Sequence, residues 1–177
     1  MNQNNNIKCE GDVCEIGDND SQQTTNLLDL EVSEWLNTNG KDIKLSDLKG
    51  KVVIIDVFQM LCPGCIIHSL PQANHLHSIF RDEERVIILG LHSVFEHHSV
   101  MQKESLKVFL SEFRYTFPVG IDKYEDGQTL PTTMRKFNLK GTPSLIIIDK
   151  EGNISETLFG VVDDLILGLK IGQLLSK

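Results

Sequence analysis

The chain has 177 residues, 40% hydrophobic and 24% charged, enough for one domain with a real core and at most a short appendage. Its formal net charge of −8 repels phosphate backbones, and no local Lys/Arg cluster offsets it, so nucleic acid is set aside as a partner. Residues 1–26 are rich in Asn, Asp, Gln and Thr and hold no apolar stretch suited to a signal peptide or membrane anchor. The expectation is a cytoplasmic protein without a membrane partner, where cysteines at motif spacing mean redox catalysis or metal binding.

In chain order, residues 1–26 read as a flexible polar tail carrying Cys9 and Cys14 at C-x4-C spacing, and 27–177 as the folded domain. Glu31 to Leu36 alternates like a strand, Asn39-Gly40 reads as a hairpin turn, and Ile43 to Leu45 as the returning strand. Lys51 to Phe58 is a nearly continuous β-branched run, the pattern of a central strand covered on both faces. It leads into Cys62-Pro63-Gly64-Cys65. From Pro63 to Phe80, Ile66, Ile67, Leu70, Leu76 and Ile79 fit a helix with a kink expected at Pro71. Arg85 to Leu91 is a second buried strand, Lys103 to Phe113 an amphipathic helix, Phe117 to Ile121 a short strand, and Pro131 to Phe137 a helix. Gly141-Thr142-Pro143 introduces a strand over Ser144 to Asp149; a turn at Lys150 to Asn153 returns Ile154 to Phe159 antiparallel, and Asp163 to Leu175 closes as a helix. These elements predict an α/β fold: a mixed central sheet with helices on both faces, an N-terminal β-hairpin and an inserted helix and strand.

Only a thiolate attacks a disulfide, and a free cysteine of pKa ~8.5 is a few per cent ionised at neutral pH. With Pro63 at the first helical position, Cys62 falls at the N-cap, where unpaired amides and the helix dipole favour the anion, as in motifs whose pKa falls to ~7 or lower. Cys65, one turn on and pointing inward, is placed to resolve a mixed disulfide. The competing readings are incidental buried cysteines or half of a structural zinc site, which needs about four ligands. Cys9 and Cys14 have the wrong spacing to complete one. No cofactor and no metal is expected.

From about Leu27 to the C-terminus these residues resemble the thioredoxin superfamily. The dithiol follows a buried strand, Asp56 six residues earlier matches the family's buried aspartate, Thr142-Pro143 its cis-proline, and Gly160 the glycine ending its last strand. The resemblance implies a thiol–disulfide oxidoreductase with catalytic Cys62, Cys65 and Asp56. A buried carboxylate of raised pKa would take the proton of Cys65. Leu61, Pro63, Gly64, Thr142 and Pro143 would contact the substrate, a protein disulfide or thiol, Thr142 through its backbone; an upstream reductant would reset the pair.

The inserted helix and strand look like the branch holding TlpA/ResA-type reductases and AhpC/TSA peroxiredoxins. The chain departs from thioredoxin in having Leu61 where a Trp is usual and in the position of Pro71. Cys62-Pro63-Gly64-Cys65 with Leu70-Pro71 is also similar to a peroxiredoxin pattern with Cys in place of Thr, which would make Cys65 peroxidatic and Cys62 resolving. That reading needs an arginine beside the sulfur, for which Arg135 is the candidate. A third reading, Sco-like copper binding, draws on His68, His92, His97 and His98 near the thiolates. His75 and His77 read as solvent-facing. Cys9 and Cys14 read either as stray thiols or as a second dithiol exchanging with the first.

Overall fold

A computed structural model describes residues 29–177 in full; before them it describes only the backbone of β1 (Lys8–Glu10) and β2 (Val13–Glu15), an antiparallel pair. The rest of the expected tail and the domain start at Leu27 lie outside the described residues.

The main sheet has six strands: β3 (Val32–Leu36), β4 (Val52–Phe58), β5 (Val86–His92), β6 (Val119–Asp122), β7 (Ser144–Ile148) and β8 (Ile154–Phe159). Their order is β3-β6-β5-β4-β7-β8. β4, β5 and β6 run parallel, while β3, β7 and β8 pair antiparallel to their neighbours, so the sheet is mixed as expected.

Strand β4 is central because every one of its residues can be buried. Its alternation divides two cores. Val52, Ile54 and Phe58 join Cys65, Leu70, Leu106, Leu167 and Ile171 on one face. Val53, Ile55 and Val57 join Trp35, Leu45, Met134 and Leu139 on the other. Helices α1 (Leu70–Ile79), α2 (Lys103–Glu112) and α4 (Asp164–Ser176) contribute to the first core, and the short α3 (Thr132–Lys136) to the second. Each fully buried Leu, Ile or Phe is worth about 1.5–3 kcal/mol over its exposed state. Among the described residues no helix is long and apolar enough to cross a membrane.

Two expectations are corrected. The hairpin over Glu31 to Leu45 does not form: Asn39-Gly40 is a turn with positive φ, but residues 41–44 run on as coil into a 3₁₀ turn, Leu45–Leu48. Leu45 N–H is tied to Asp29 Oδ1 at 3.0 Å, which anchors that turn. The first strand instead takes the inserted strand β6 as its partner, and Gly120 permits this, since a Cβ there would lie 2.8 Å from Val32 Cγ2. The expected kink at Pro71 takes the form of a π-helical turn, Cys65–Ser69, in which Leu70 N–H reaches back to the Cys65 carbonyl. Pro71 has no N–H and its ring crowds the carbonyl four residues earlier, so the turn before it widens.

Candidate active site

The dithiol sits where β4 ends. Gln59, 1% exposed, accepts the Cys62 N–H on its carbonyl at 3.0 Å, turning the chain out of the strand. The Cys62 carbonyl then accepts from Ile66 N–H at 3.0 Å, the first helical bond, with Pro63 at the first helical position. Cys65 N–H points at Cys62 Sγ, 3.4 Å away, so the sulfur stands where an N-cap oxygen would. An anion on Cys62 would thus meet an amide donor and the positive end of the helix. Cys62 is partly exposed and Cys65 has no exposed surface, so only one sulfur is open to a substrate.

The Thr142–Pro143 bond is cis, and the Thr142 carbonyl accepts from the Cys62 thiol at 3.6 Å. Gly64 lets this loop close on the helix: a Cβ there would lie 3.2 Å from Pro143 Cδ. Gly160 ends β8 at φ +90°, and its N–H binds the Pro143 carbonyl at 2.9 Å, holding the loop from behind. Leu61 and Pro63 are exposed, Gly64 and Thr142 half-buried, and Pro143 buried. The expected substrate contacts thus surround the one accessible sulfur.

By strand alternation Asp56 lies on the face of β4 that carries Cys65. It is 1% exposed, and neither carboxyl oxygen has a hydrogen-bond partner. Burial pushes it from its ordinary 3.8 to about 7, against a smaller lowering by the nearby Ser69 hydroxyl. Burial also drives the Cys65 thiol well above its usual range, helped by the neighbouring Cys62 sulfur and the Asp56 charge, while the Gln59 backbone opposes. Cys65 therefore rests as a thiol and needs a proton acceptor before it can attack.

The remaining sequence candidates do not converge on the sulfurs. Arg135 pairs with Glu125 at 2.6 Å and donates to the Leu130 carbonyl. The Cys65-first order thus has neither an exposed sulfur nor that arginine. His92 is 1% exposed, its ring 5.2 Å from Phe58, and burial lowers it from 6.5 to about 4. His98 packs edge-on against Tyr124 at 5.0 Å, and His97 is exposed. His68 lines a cleft with Gln72, Val161 and Asp164. Among the described residues no three His, Cys, Asp or Glu side chains are grouped to hold a metal. His75 is solvent-facing as expected, but His77 is half-buried, 6.2 Å from the Phe117 ring.

Sequence reasoning missed Gln59 and Ser69, although Ser69 is one helical turn after Cys65 and so shares its face. It also missed Asp122, whose buried carboxylate accepts from Ser93 Oγ at 2.7 Å, Thr133 N–H at 2.8 Å and Met134 N–H at 3.2 Å, joining the ends of β5 and β6 to α3. No local pattern announces it, because its partners come from three separate segments.

The model of the AhpC/TSA family matches residues 24–157. Among solved structures, the chain is similar to a thiol-disulfide isomerase from Corynebacterium glutamicum: 51% identical, TM-score 0.81, covering 87% of this chain and 98% of that one. A thioredoxin-like superfamily protein is 47% identical with TM-score 0.80, covering 84% and 95%. Among curated proteins, NHL repeat-containing protein 2 of Gallus gallus is 30% identical over 128 residues, 72% of this chain and 16% of that protein. The thiol-disulfide oxidoreductase ResA of Bacillus anthracis is 31% identical over 121 residues, 68% of this chain and 62% of that protein. The chain thus spans a small part of the NHL relatives and under two thirds of ResA. With the family matched over most of its length, and a mixed sheet presenting a dithiol at a strand end beside a cis-proline, the chain belongs to the AhpC/TSA family and is a thioredoxin-like redoxin.

Proposed function

We infer that this chain is a thiol–disulfide oxidoreductase that exchanges disulfides with protein substrates through Cys62 and Cys65. One observation carries the reading: an accessible sulfur at a helix N-cap, paired with a buried thiol on the same face as a buried carboxyl titrating at about 7. The Cys62 thiolate attacks a substrate disulfide, forming a mixed disulfide and releasing one substrate thiolate. Asp56 takes the Cys65 proton. The Cys65 thiolate then attacks Cys62 Sγ, the second substrate sulfur leaves, and the pair ends as a disulfide, two electrons having passed to the substrate. A dithiol reductant reverses the change in the enzyme. Leu61, Pro63, Gly64, Thr142 and Pro143 form the surface on which an extended substrate segment lies. The named activities of ResA and of the Corynebacterium isomerase support the same chemistry.

Insulin reduction driven by dithiothreitol tests the assignment. Cys62→Ser is expected to abolish turnover, and Cys65→Ser to accumulate a mixed disulfide at Cys62. Rapid formation of a sulfenic acid at Cys65 of Cys62→Ser under peroxide would reverse the order of the two cysteines.

A further inference from the structure

Two cysteines stand outside this site, and the backbone places them together. Strands β1 and β2 pair in the register Lys8↔Glu15, Cys9↔Cys14 and Glu10↔Val13. The residues between them, Gly11-Asp12, have the composition of a two-residue hairpin loop. Directly opposed residues of an antiparallel pair have Cα atoms about 4.5–5.5 Å apart. A disulfide requires about 4.4–6.8 Å, so this register permits the bond without backbone movement.

We propose that Cys9 and Cys14, opposed across the β1–β2 ladder, form a second dithiol–disulfide couple that exchanges electrons with Cys62 and Cys65. The proposal rests on the oxidoreductase reading above. A ring this short constrains the unfolded chain less than a long one, so the bond gains little entropic stabilisation and stays open to exchange. Glu10, Asp12 and Glu15 flank the pair. The step balances: the Cys62 thiolate attacks one hairpin sulfur, the Cys9–Cys14 bond breaks and a mixed disulfide forms. Cys65, after losing its proton to Asp56, displaces the hairpin sulfur. The products are a Cys62–Cys65 disulfide and a Cys9/Cys14 dithiol. The reverse direction passes two electrons from the hairpin to the oxidised active site.

Covalent reach allows the encounter. Fourteen residues lie between Cys14 and Asp29, up to about 50 Å of extended chain, whereas a domain of this size has a radius of gyration of about 15 Å. Tethering also raises the effective concentration of the hairpin into the millimolar range, as for short linkers.

The test uses the full chain. Parent protein equilibrated across glutathione ratios, alkylated and mapped by mass spectrometry should yield a Cys9–Cys14 linkage. Cys65→Ser, oxidised in the same buffers, should yield a Cys62 linkage to Cys9 or Cys14 within single chains, in a fraction independent of protein concentration. The double variant Cys9→Ser/Cys14→Ser should lose both linkages and reduce insulin with dithiothreitol at the parent's rate. Free Cys9 and Cys14 under conditions that fully oxidise Cys62–Cys65, zinc retained on them, or no Cys62–hairpin linkage would each overturn the proposal. If parent and double variant both reduce insulin while the linkages are absent, only the hairpin couple fails. If neither reduces insulin, the oxidoreductase reading itself fails and the couple with it.

Discussion

Replacing Asp56 by Asn puts the electrostatics of the site to a measurement that needs no substrate. The carboxyl titrates at about 7 in the fold against its ordinary 3.8. At about 1.4 kcal/mol per pH unit, ionising it in the folded protein costs up to about 4 kcal/mol more than in the unfolded chain. Below about pH 4 both states hold the proton and the cost vanishes. Between about 4 and 7 the folded state binds more protons, so stability falls as pH rises, and above that range the cost is constant. From pH 5 to pH 8 this group alone removes about 2–3 kcal/mol. Asn keeps the shape and the unmet hydrogen bonds but cannot ionise, so Asp56→Asn gains on the parent as pH rises. Urea unfolding of both reduced proteins, followed by the sole tryptophan, the buried Trp35, reads this directly. Titrating groups that do not interact with Asp56 cancel in the difference, and Cys65, which does, is raised by its burial and stays a thiol across this range. The gap is expected to widen by about 2–3 kcal/mol between pH 5 and pH 8. A gap that stays constant, or narrows, refutes the buried-carboxyl account. The same variant is expected to slow the resolving step by about 10²-fold or more at neutral pH, the scale of a lost general base, read as a longer-lived mixed disulfide.

Other expectations follow from the same geometry. His92 is lowered from 6.5 to about 4 by burial, so it contributes stability that is present above about pH 6.5 and lost as pH falls toward 4. His92→Leu should remove about 3 kcal/mol of acid destabilisation between pH 7 and pH 4 in urea melts. Asp122→Ala strips partners from Ser93, Thr133 and Met134 at once and should cost about 2–4 kcal/mol, seen as a lower urea midpoint at unchanged slope. Gly64→Ala brings a Cβ to 3.2 Å from Pro143 Cδ. It is expected to slow insulin reduction several-fold while far-ultraviolet circular dichroism stays that of the parent.

Much of the molecule follows from local pattern. The nearly continuous apolar run before Phe58, broken only by Asp56, requires a strand covered on both faces, and it delivers Cys62 to a strand end. Pro63 sets the helix start there, and parity along β4 puts Asp56 on the Phe58 side. These are short-range consequences of period, turn chemistry and proline geometry, so they survive without knowledge of neighbours. What depends on partners far along the chain was settled only in three dimensions. The first strand looked like half of a hairpin, yet its ladder goes to β6 because Gly120 clears room for Val32. The histidines share a sheet edge in sequence terms, but His92 packs against Phe58 and His98 on Tyr124, where the two line one cleft, and among the described residues they form no metal-holding group with the sulfurs. The two sulfurs of Cys62-Pro63-Gly64-Cys65 are equivalent as letters. The depth of Cys65 in the core beneath α1, with Cys62 left at the surface, is the tertiary feature on which the proposed order of attacking and resolving thiol rests, because desolvation holds the proton on the buried one.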